Sequence, residues 1–331
     1  MTRSGSPGSI TVLGECVADI FNHSALSDPE ELSLRALPGG GPANTAVALA
    51  RLGTPTRFCG RFSDDSFSTL FRARLNASGV DLTGSVAASE PSTLAVAELD
   101  ATGQATYTFY ADGAADWQWT DHELAGTTKD DAVCLHTGSL ALVRQPGGSR
   151  IEEYLAQARE HSTVSVDPNV RPLLVPPSAY RDRLALWCST ADILRLSEDD
   201  CALLAPGVGL EAACDSWHAA GTRLVVITLG GRGALASLDG RRVTVPAPPV
   251  DIVDTVGAGD SFTAGLLHRL ATLGRLGGRL DDLALDDVTD ACSFAARVAA
   301  LTCSVPGANP PWADHPALHV DTERHPPHHG G

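Results

Sequence analysis

The run Asp254-Thr255-Val256-Gly257-Ala258-Gly259-Asp260-Ser261-Phe262 combines residue types that could do chemistry at one spacing. It follows a strand-like segment and opens a helix in which Phe262, Leu266, Leu270 and Leu273 share a face. Gly257, Ala258 and Gly259 at a helix start leave successive backbone N–H groups free, and with the helix dipole they form an anion hole that needs no lysine. A carboxylate at Asp260, inside that positive pocket, can accept a hydroxyl proton while the turn holds a transferring phosphoryl group. The competing assignment is a glycine-rich loop with Asp260 as helix N-cap.

Other runs carry further groups. Pro38-Gly39-Gly40-Gly41-Pro42-Ala43-Asn44 precedes a helix; its glycines permit close backbone approach, and Asn44 offers donor and acceptor on the first turn. It does not satisfy the dinucleotide fingerprint G-x-G-x-x-G. Asp167-Pro168-Asn169-Val170-Arg171 ends a strand, where Arg171 could hold a phosphoryl or sugar oxygen through two bonds. Arg195-Leu196-Ser197-Glu198 and Thr228-Leu229-Gly230-Gly231-Arg232-Gly233 also follow apolar runs. Open α/β sheets gather the carboxyl ends of strands into one crevice, so these groups can share it.

Composition narrows the chemistry. Of 24 basic residues Lys129 is the only lysine, so the lysine of a P-loop, a Schiff base or a protein kinase is missing from its context. A net charge of −16 disfavours nucleic-acid binding. Apolar runs are too short for a membrane span, and residues 1–9 lack a signal-peptide core, so a cytoplasmic protein is expected. The eight cysteines form no C-x-x-C pair and read as buried reduced thiols.

The elements that must position these groups alternate in βα fashion. Strands are expected at 10–14, 57–60, 132–137, 163–167, 192–196 and 224–228, with helices at 43–52, 149–160 and 261–273. Residues 31–37 alternate, and 92–110 reads as a hairpin turning at 100–103. Both fall outside the βα rhythm and predict a small separate sheet. The tail from about residue 310 is rich in proline and holds five of the eleven histidines, a composition that predicts disorder and matches no metal-ligand spacing.

The motifs together resemble the ribokinase family of carbohydrate kinases, through Gly39-Gly40-x-x-x-Asn44 near the start and Asp254-Thr255-x-Gly257-Ala258-Gly259-Asp260 near the end. The likeness spans roughly residues 10–311. It implies a three-layer α/β/α domain at 1–311, a mostly parallel central sheet, and a β-lid from about 31–38 and 92–112, leaving 312–331 as a tail. It implies Asp260 as catalytic base and Gly257, Ala258 and Gly259 as its anion hole. Asp19, Gly40, Gly41, Asn44 and Arg171 become sugar-binding residues. Arg195, Thr228, Gly230, Gly233, Gly257 and Gly259 become the ATP-binding set, although relatives usually carry asparagine at the place of Arg195. Glu198 matches a glutamate acting on Mg²⁺ through water. Asp254, Val256, Val305 and Gly307 match a monovalent cation site, often K⁺. The D-x-N-x-R string is similar to fructokinases and 2-keto-3-deoxygluconate kinases, and Phe109-Tyr110 followed by Ala115-Asp116 is similar to fructokinases, which the whole chain resembles most. Trp117 and Trp119 are expected in the core. Relatives often pair lids into homodimers. Open alternatives are a 2-keto-3-deoxygluconate, ribose or nucleoside acceptor, or a catalytically silent sugar-binding regulator.

Overall fold

Strands that are apolar on both faces must be covered on both faces, and this chain meets that demand with a sheet between two helix layers. The computed structural model describes residues 8–22, 32–99, 105–127 and 131–319. The strands are β1 (Ser9–Leu13), β2 (Val17–Asn22), β3 (Leu34–Gly39), β4 (Thr56–Cys59), β5 (Arg61–Phe62), β6 (Val86–Ala87), β7 (Thr93–Leu99), β8 (Ala105–Tyr110), β9 (Ala132–Gly138), β10 (Thr163–Asp167), β11 (Ile193–Ser197), β12 (Leu224–Thr228), β13 (Ala234–Leu238) and β14 (Arg241–Val245). The helices are α1 (Gly41–Arg51), α2 (Ser66–Ala77), α3 (Asp121–Ala125), α4 (Gly147–Ala158), α5 (Pro177–Thr190), α6 (Glu198–Leu204), α7 (Leu210–Ala220), α8 (Ala258–Thr272) and α9 (Leu285–Cys303).

Eight strands form the central sheet in the order β14-β13-β12-β11-β10-β9-β1-β4. Every pairing from β12 to β4 is parallel, and the last two strands at the other edge are antiparallel. The alternation within β12 shows how both faces are filled. Leu224 and Val226 join the core beneath α1, α2, α8 and α9, whereas Val225 and Ile227 join the core beneath α4, α5 and α7. Trp117 and Trp119 are buried in the second core, as expected. No disulfide links the eight cysteines, and seven of them are buried.

The lid is a second sheet of order β3-β2-β7-β8. Three of its strands fall within the expected segments. The fourth, β2, was not expected as a strand: Asp19 stands inside it and not in a loop after β1. Strand β2 starts only four residues after β1 ends, and a carboxylate in its middle masks the alternation. The antiparallel pair β13–β14 is likewise additional.

The tail is a correction. Residues 310–319 are built onto the body: Ala313 N–H donates to Arg51 O at 2.8 Å, Arg51 lies 5.0 Å over the Trp312 ring, and Leu318 packs with Leu52 and Val298. Buried Pro310, Pro311 and Leu318 supply the burial that proline-rich composition hides. Lys129, the 100–103 turn and residues 320–331 lie outside the described residues.

Helix α8 carries Asp260, so its packing bears on both stability and the site. Leu266 on that helix is fully buried. Leu266→Ala should lower unfolding stability by about 2–5 kcal/mol, read as a lower urea midpoint at unchanged slope.

Candidate active site

The chain runs from β1 to β4 on one side and returns through β9 on the other, so strand order reverses at β1. Such a switch point opens a crevice at the carboxyl ends of the strands. Glu15 follows β1, Ser139 follows β9, Asn169 and Arg171 follow β10, and Arg195 stands within β11; all five line one cavity of about 370 Å³. The lid covers it with Val17, Asp19, Thr93, Ala95 and Phe109. Gly40, Gly41 and Asn44 enter from the start of α1, and Thr255, Val256, Gly257, Gly259 and Asp260 from the start of α8.

Two helix N-termini therefore meet here. Asn44 Nδ2 donates to Asp260 Oδ2 at 2.9 Å, and Thr45 Oγ1 donates to the Asp260 carbonyl at 3.4 Å. Asp260 is not the N-cap. That place belongs to Gly257 at φ 76°, which sets Asp260 in the third helical position with its carboxylate free to face the cavity. Burial pushes the Asp260 carboxyl up to about 6, with Asp167 adding to the rise, while Asn44, Arg171 and Arg195 oppose it. A carboxylate tuned upward is a better proton acceptor near neutral pH.

The anion hole is narrower than expected. Gly257 and Gly259 line the cavity, but Ala258 does not, and its N–H is turned onto Thr255 O at 3.2 Å. Beneath lies a fixed cation. Arg195 is 5% exposed; its Nη1 donates to Asp167 Oδ2 at 2.8 Å and its Nη2 to Thr228 Oγ1 at 2.9 Å. Thr263 Oγ1 on α8 donates to the same Asp167 oxygen at 3.3 Å. A methyl group on Gly259 would come within 3.0 Å of the Arg195 guanidinium, so glycine lets the turn settle on that charge. On the opposite side a methyl group on Gly41 would come within 2.8 Å of Asn169 Nδ2 and 3.3 Å of Asp260 Oδ1.

At the acceptor end, burial pushes Asp19 up to about 6 and Glu15 up to about 7, and Arg171 draws both down. Glu15 is 1% exposed. The sequence reading did not assign Glu15, Ser139, Asn169 or Thr93. Ser139 at φ 56° and Asn169 at φ 41° hold left-handed backbone conformations, which non-glycine residues adopt mainly where a site requires them. Only Asn169, within D-x-N-x-R, gave a signal that could have pointed to it.

Other expected groups lie outside the cavity wall. Thr228 reaches it only through Arg195. Gly230 and Gly233 flank the turn holding Arg232, whose guanidinium pairs with Glu198. Asp254 draws Val256 and Gly307 together, accepting their N–H groups at 3.0 and 2.8 Å, and these bonds hold its carboxyl below the usual range. Val305 stands in the same loop, its N–H donating to Thr302 O at 3.4 Å. Among the described residues no three His, Cys, Asp or Glu side chains cluster as a metal site.

Known proteins share this architecture. The pattern of the pfkB family carbohydrate kinase matches residues 8–315. A fructokinase of Klebsiella pneumoniae is 36% identical over 297 residues, covering 88% of this chain and 94% of that protein. A fructokinase of Rhizobium leguminosarum bv. trifolii is 37% identical over 233 residues, 70% of this chain and 71% of that protein. The crystal structure of fructokinase with bound ATP from Xylella fastidiosa superposes with a TM-score of 0.80 at 27% identity, covering 91% of this chain and 93% of that one. A double-mutant fructokinase from Vibrio cholerae, in its fructose, ADP and potassium ion bound form, gives 0.77 at 29% identity, covering 92% and 95%.

The raised Asp260 carboxyl carries a stability consequence. Its folded pKa, about 6, lies above the ordinary 3.8, so the folded chain binds more protons between those values and loses stability as pH rises through that window. Asp260→Asn should therefore raise the melting temperature of the unliganded protein at pH 7.5, with the gain vanishing toward pH 4. Calorimetry across that range checks it.

Proposed function

This chain belongs to the pfkB family of carbohydrate kinases, and on that premise we propose that it is an ATP-dependent fructokinase, converting fructose and ATP to fructose 6-phosphate and ADP. The observation that carries the reading is the Asp260 carboxylate, fixed by Asn44 between the Gly257–Gly259 turn and a cavity that presents Asp19 and Arg171.

The geometry suits phosphoryl transfer. A sugar between Asp19, Asn44 and the lid would bring one hydroxyl to Asp260. Its proton passes to the Asp260 carboxylate as the oxygen bonds to the γ-phosphorus, and the bond to the ADP oxygen breaks. The N–H groups at the start of α8 and the guanidinium of Arg171 stabilise charge on the transferring group. Arg195 serves from behind, as the buried support of the turn. Closure of the lid sheet over the sugar keeps water from taking the phosphoryl group.

The ions fit unequally. Asp254, Val256, Val305 and Gly307 supply an oxygen donor set suited to a monovalent cation such as K⁺, which would add fixed positive charge beside the anion hole. The Vibrio cholerae relative holds potassium. Glu198 is engaged by Arg232, so these residues do not by themselves make a protein-held Mg²⁺ site. Magnesium would arrive on the nucleotide phosphates, as is usual for this ion.

We further propose a homodimer through the lid, because Phe21 and Tyr107 leave an exposed aromatic row beyond Phe109 on the cavity-facing side of that sheet. The cytoplasm is the proposed compartment. No helix among the described residues is long and apolar enough to cross a membrane, and buried cysteine thiols suit a reducing interior.

A coupled ADP-release assay over fructose, 2-keto-3-deoxygluconate, ribose and a nucleoside should give its highest kcat/KM with fructose. Strong ketodeoxygluconate turnover without fructose turnover would move the assignment, and Arg171 is the group that would then pair with the substrate carboxylate. Sugar-dependent thermal stabilisation without any ATP turnover would mean a silent regulator. Asp260→Asn should lower kcat by about 10²–10⁴-fold. Because the base works deprotonated, wild-type kcat/KM should fall as pH drops through about 6.

A further inference from the structure

The lid joins the body through four chain crossings: into β2, out of β3, into β7 and out of β8. One buried carboxylate holds three of them. Asp116 stands on the segment leaving β8 and is 3% exposed. Its Oδ1 accepts the N–H of Cys16, just before β2, at 3.0 Å. Its Oδ2 accepts the hydroxyl of Thr93, the first residue of β7, at 2.7 Å. Ala115 N–H adds a bond to Pro91 O at 2.9 Å across the same junction. From the body side, buried Arg61 donates to Ala115 O at 3.0 Å and to Glu123 Oε1 at 3.2 Å, so the turn that carries Asp116 is itself anchored.

We infer that Asp116 is a positioning residue for the sugar: it pins the roots of β2 and β7 and so sets where Asp19, Ala95 and Phe109 of the lid stand against Asn44 and Asp260 of the body. The inference rests on the kinase reading above. A lever argument gives it weight. Asp19 lies three residues beyond Cys16, roughly 10 Å along a strand at about 3.3 Å per residue. A rotation of about 6° at the root would move its carboxylate by about 1 Å, and such a misplacement can cost about 10²-fold in rate. Val17 and Thr93, which pair across the root, both line the cavity, so the pinned junction is also its wall. A carboxylate suits the post because one group accepts from both donors. Burial opposes it, pushing the Asp116 carboxyl up to about 6, while Thr93 and Cys16 draw it down.

The test is steady-state kinetics on the full chain, wild type first. A wild type that leaves fructose unphosphorylated sinks the fructokinase reading, and so is told apart from a failure of the present one. Asp116→Ala should raise the fructose KM about tenfold or more, the equivalent of one or two charged hydrogen bonds. Its ATP KM should stay within about twofold, and more ATP should be hydrolysed per sugar phosphorylated, because a loosened lid admits water. Thr93→Val should give a smaller rise. The double variant should be no worse than Asp116→Ala, since both act through one linkage. Asp116→Asn can accept from Cys16 and donate to the Thr93 oxygen, and should recover the fructose KM to within about threefold of wild type. Equal changes in both KM values, additive losses in the double variant, or an unchanged fructose KM in folded Asp116→Ala would overturn the inference. If Asp116→Ala does not fold, Thr93→Val alone decides: a raised fructose KM at an unchanged ATP KM supports the pin, and an unchanged fructose KM or equal changes in both KM values overturn it.

Discussion

A single hydrogen bond, from Asn44 Nδ2 to Asp260 Oδ2 across 216 residues of chain, is the constraint on which the site depends. It requires the N-termini of α1 and α8 to converge, and hence the two helices to pack on the same face of the sheet. It requires β3 to return from the lid directly into the α1 turn, which ties the lid sheet to the helix that holds the base. Gly39 at the end of β3 leaves room where Asp19 stands, since a methyl group there would come within 2.2 Å of Asp19 Oδ2. Two helix dipoles then point at one carboxylate. They favour its anionic form, and burial works against it. The Asp260 carboxyl keeps its charge near neutrality but holds it loosely enough to take a proton.

The same opposition runs through the cavity. Glu15, Asp19, Asp116 and Asp260 are all pushed up by burial, and none is neutralised by a close ion pair of the kind that links Asp167 to Arg195. For stability this is unfavourable, because a buried carboxylate wants donors. A polyol brings many hydroxyl donors. Glu15 Oε2, buried without a partner at the cavity, is an acceptor that such a hydroxyl would complete. Strain at Ser139 and Asn169 belongs to the same pattern of local structure bent toward a ligand.

Legibility in the sequence followed how local each signal was. Strands β10 and β12 could be read to the residue, because Thr163–Asp167 and Leu224–Thr228 are short apolar runs closed by polar turns. The lid hairpin showed its alternation, but β2 did not, since Val-Ala-Asp-Ile-Phe-Asn puts a carboxylate at its centre. Asp260, Gly257 and Gly259 share one helix turn and could be found together. Glu15, Ser139 and Thr93 come from distant elements and carry no motif of their own, and only the switch point at β1 and the lid crossings bring them to the cavity. Ala258 shows the reverse case: the motif suggested a free amide, and the turn closes it on Thr255.

One lysine in a protein that binds a triphosphate is less odd once charge placement is considered. Arg195 lines the cavity but is held in place. It is locked between Asp167 and Thr228, under Gly259, and its charge is shared with a carboxylate. A flexible ammonium in its place would hold the turn less firmly, because a planar fork can engage two partners at once. Arg171, by contrast, is exposed and lines the cavity. Distant acidic groups in the −16 surplus act weakly there, since ionic screening limits them to about 8 Å at physiological salt. The cavity's local field is built from two helix ends and two arginines, one fixed and one exposed.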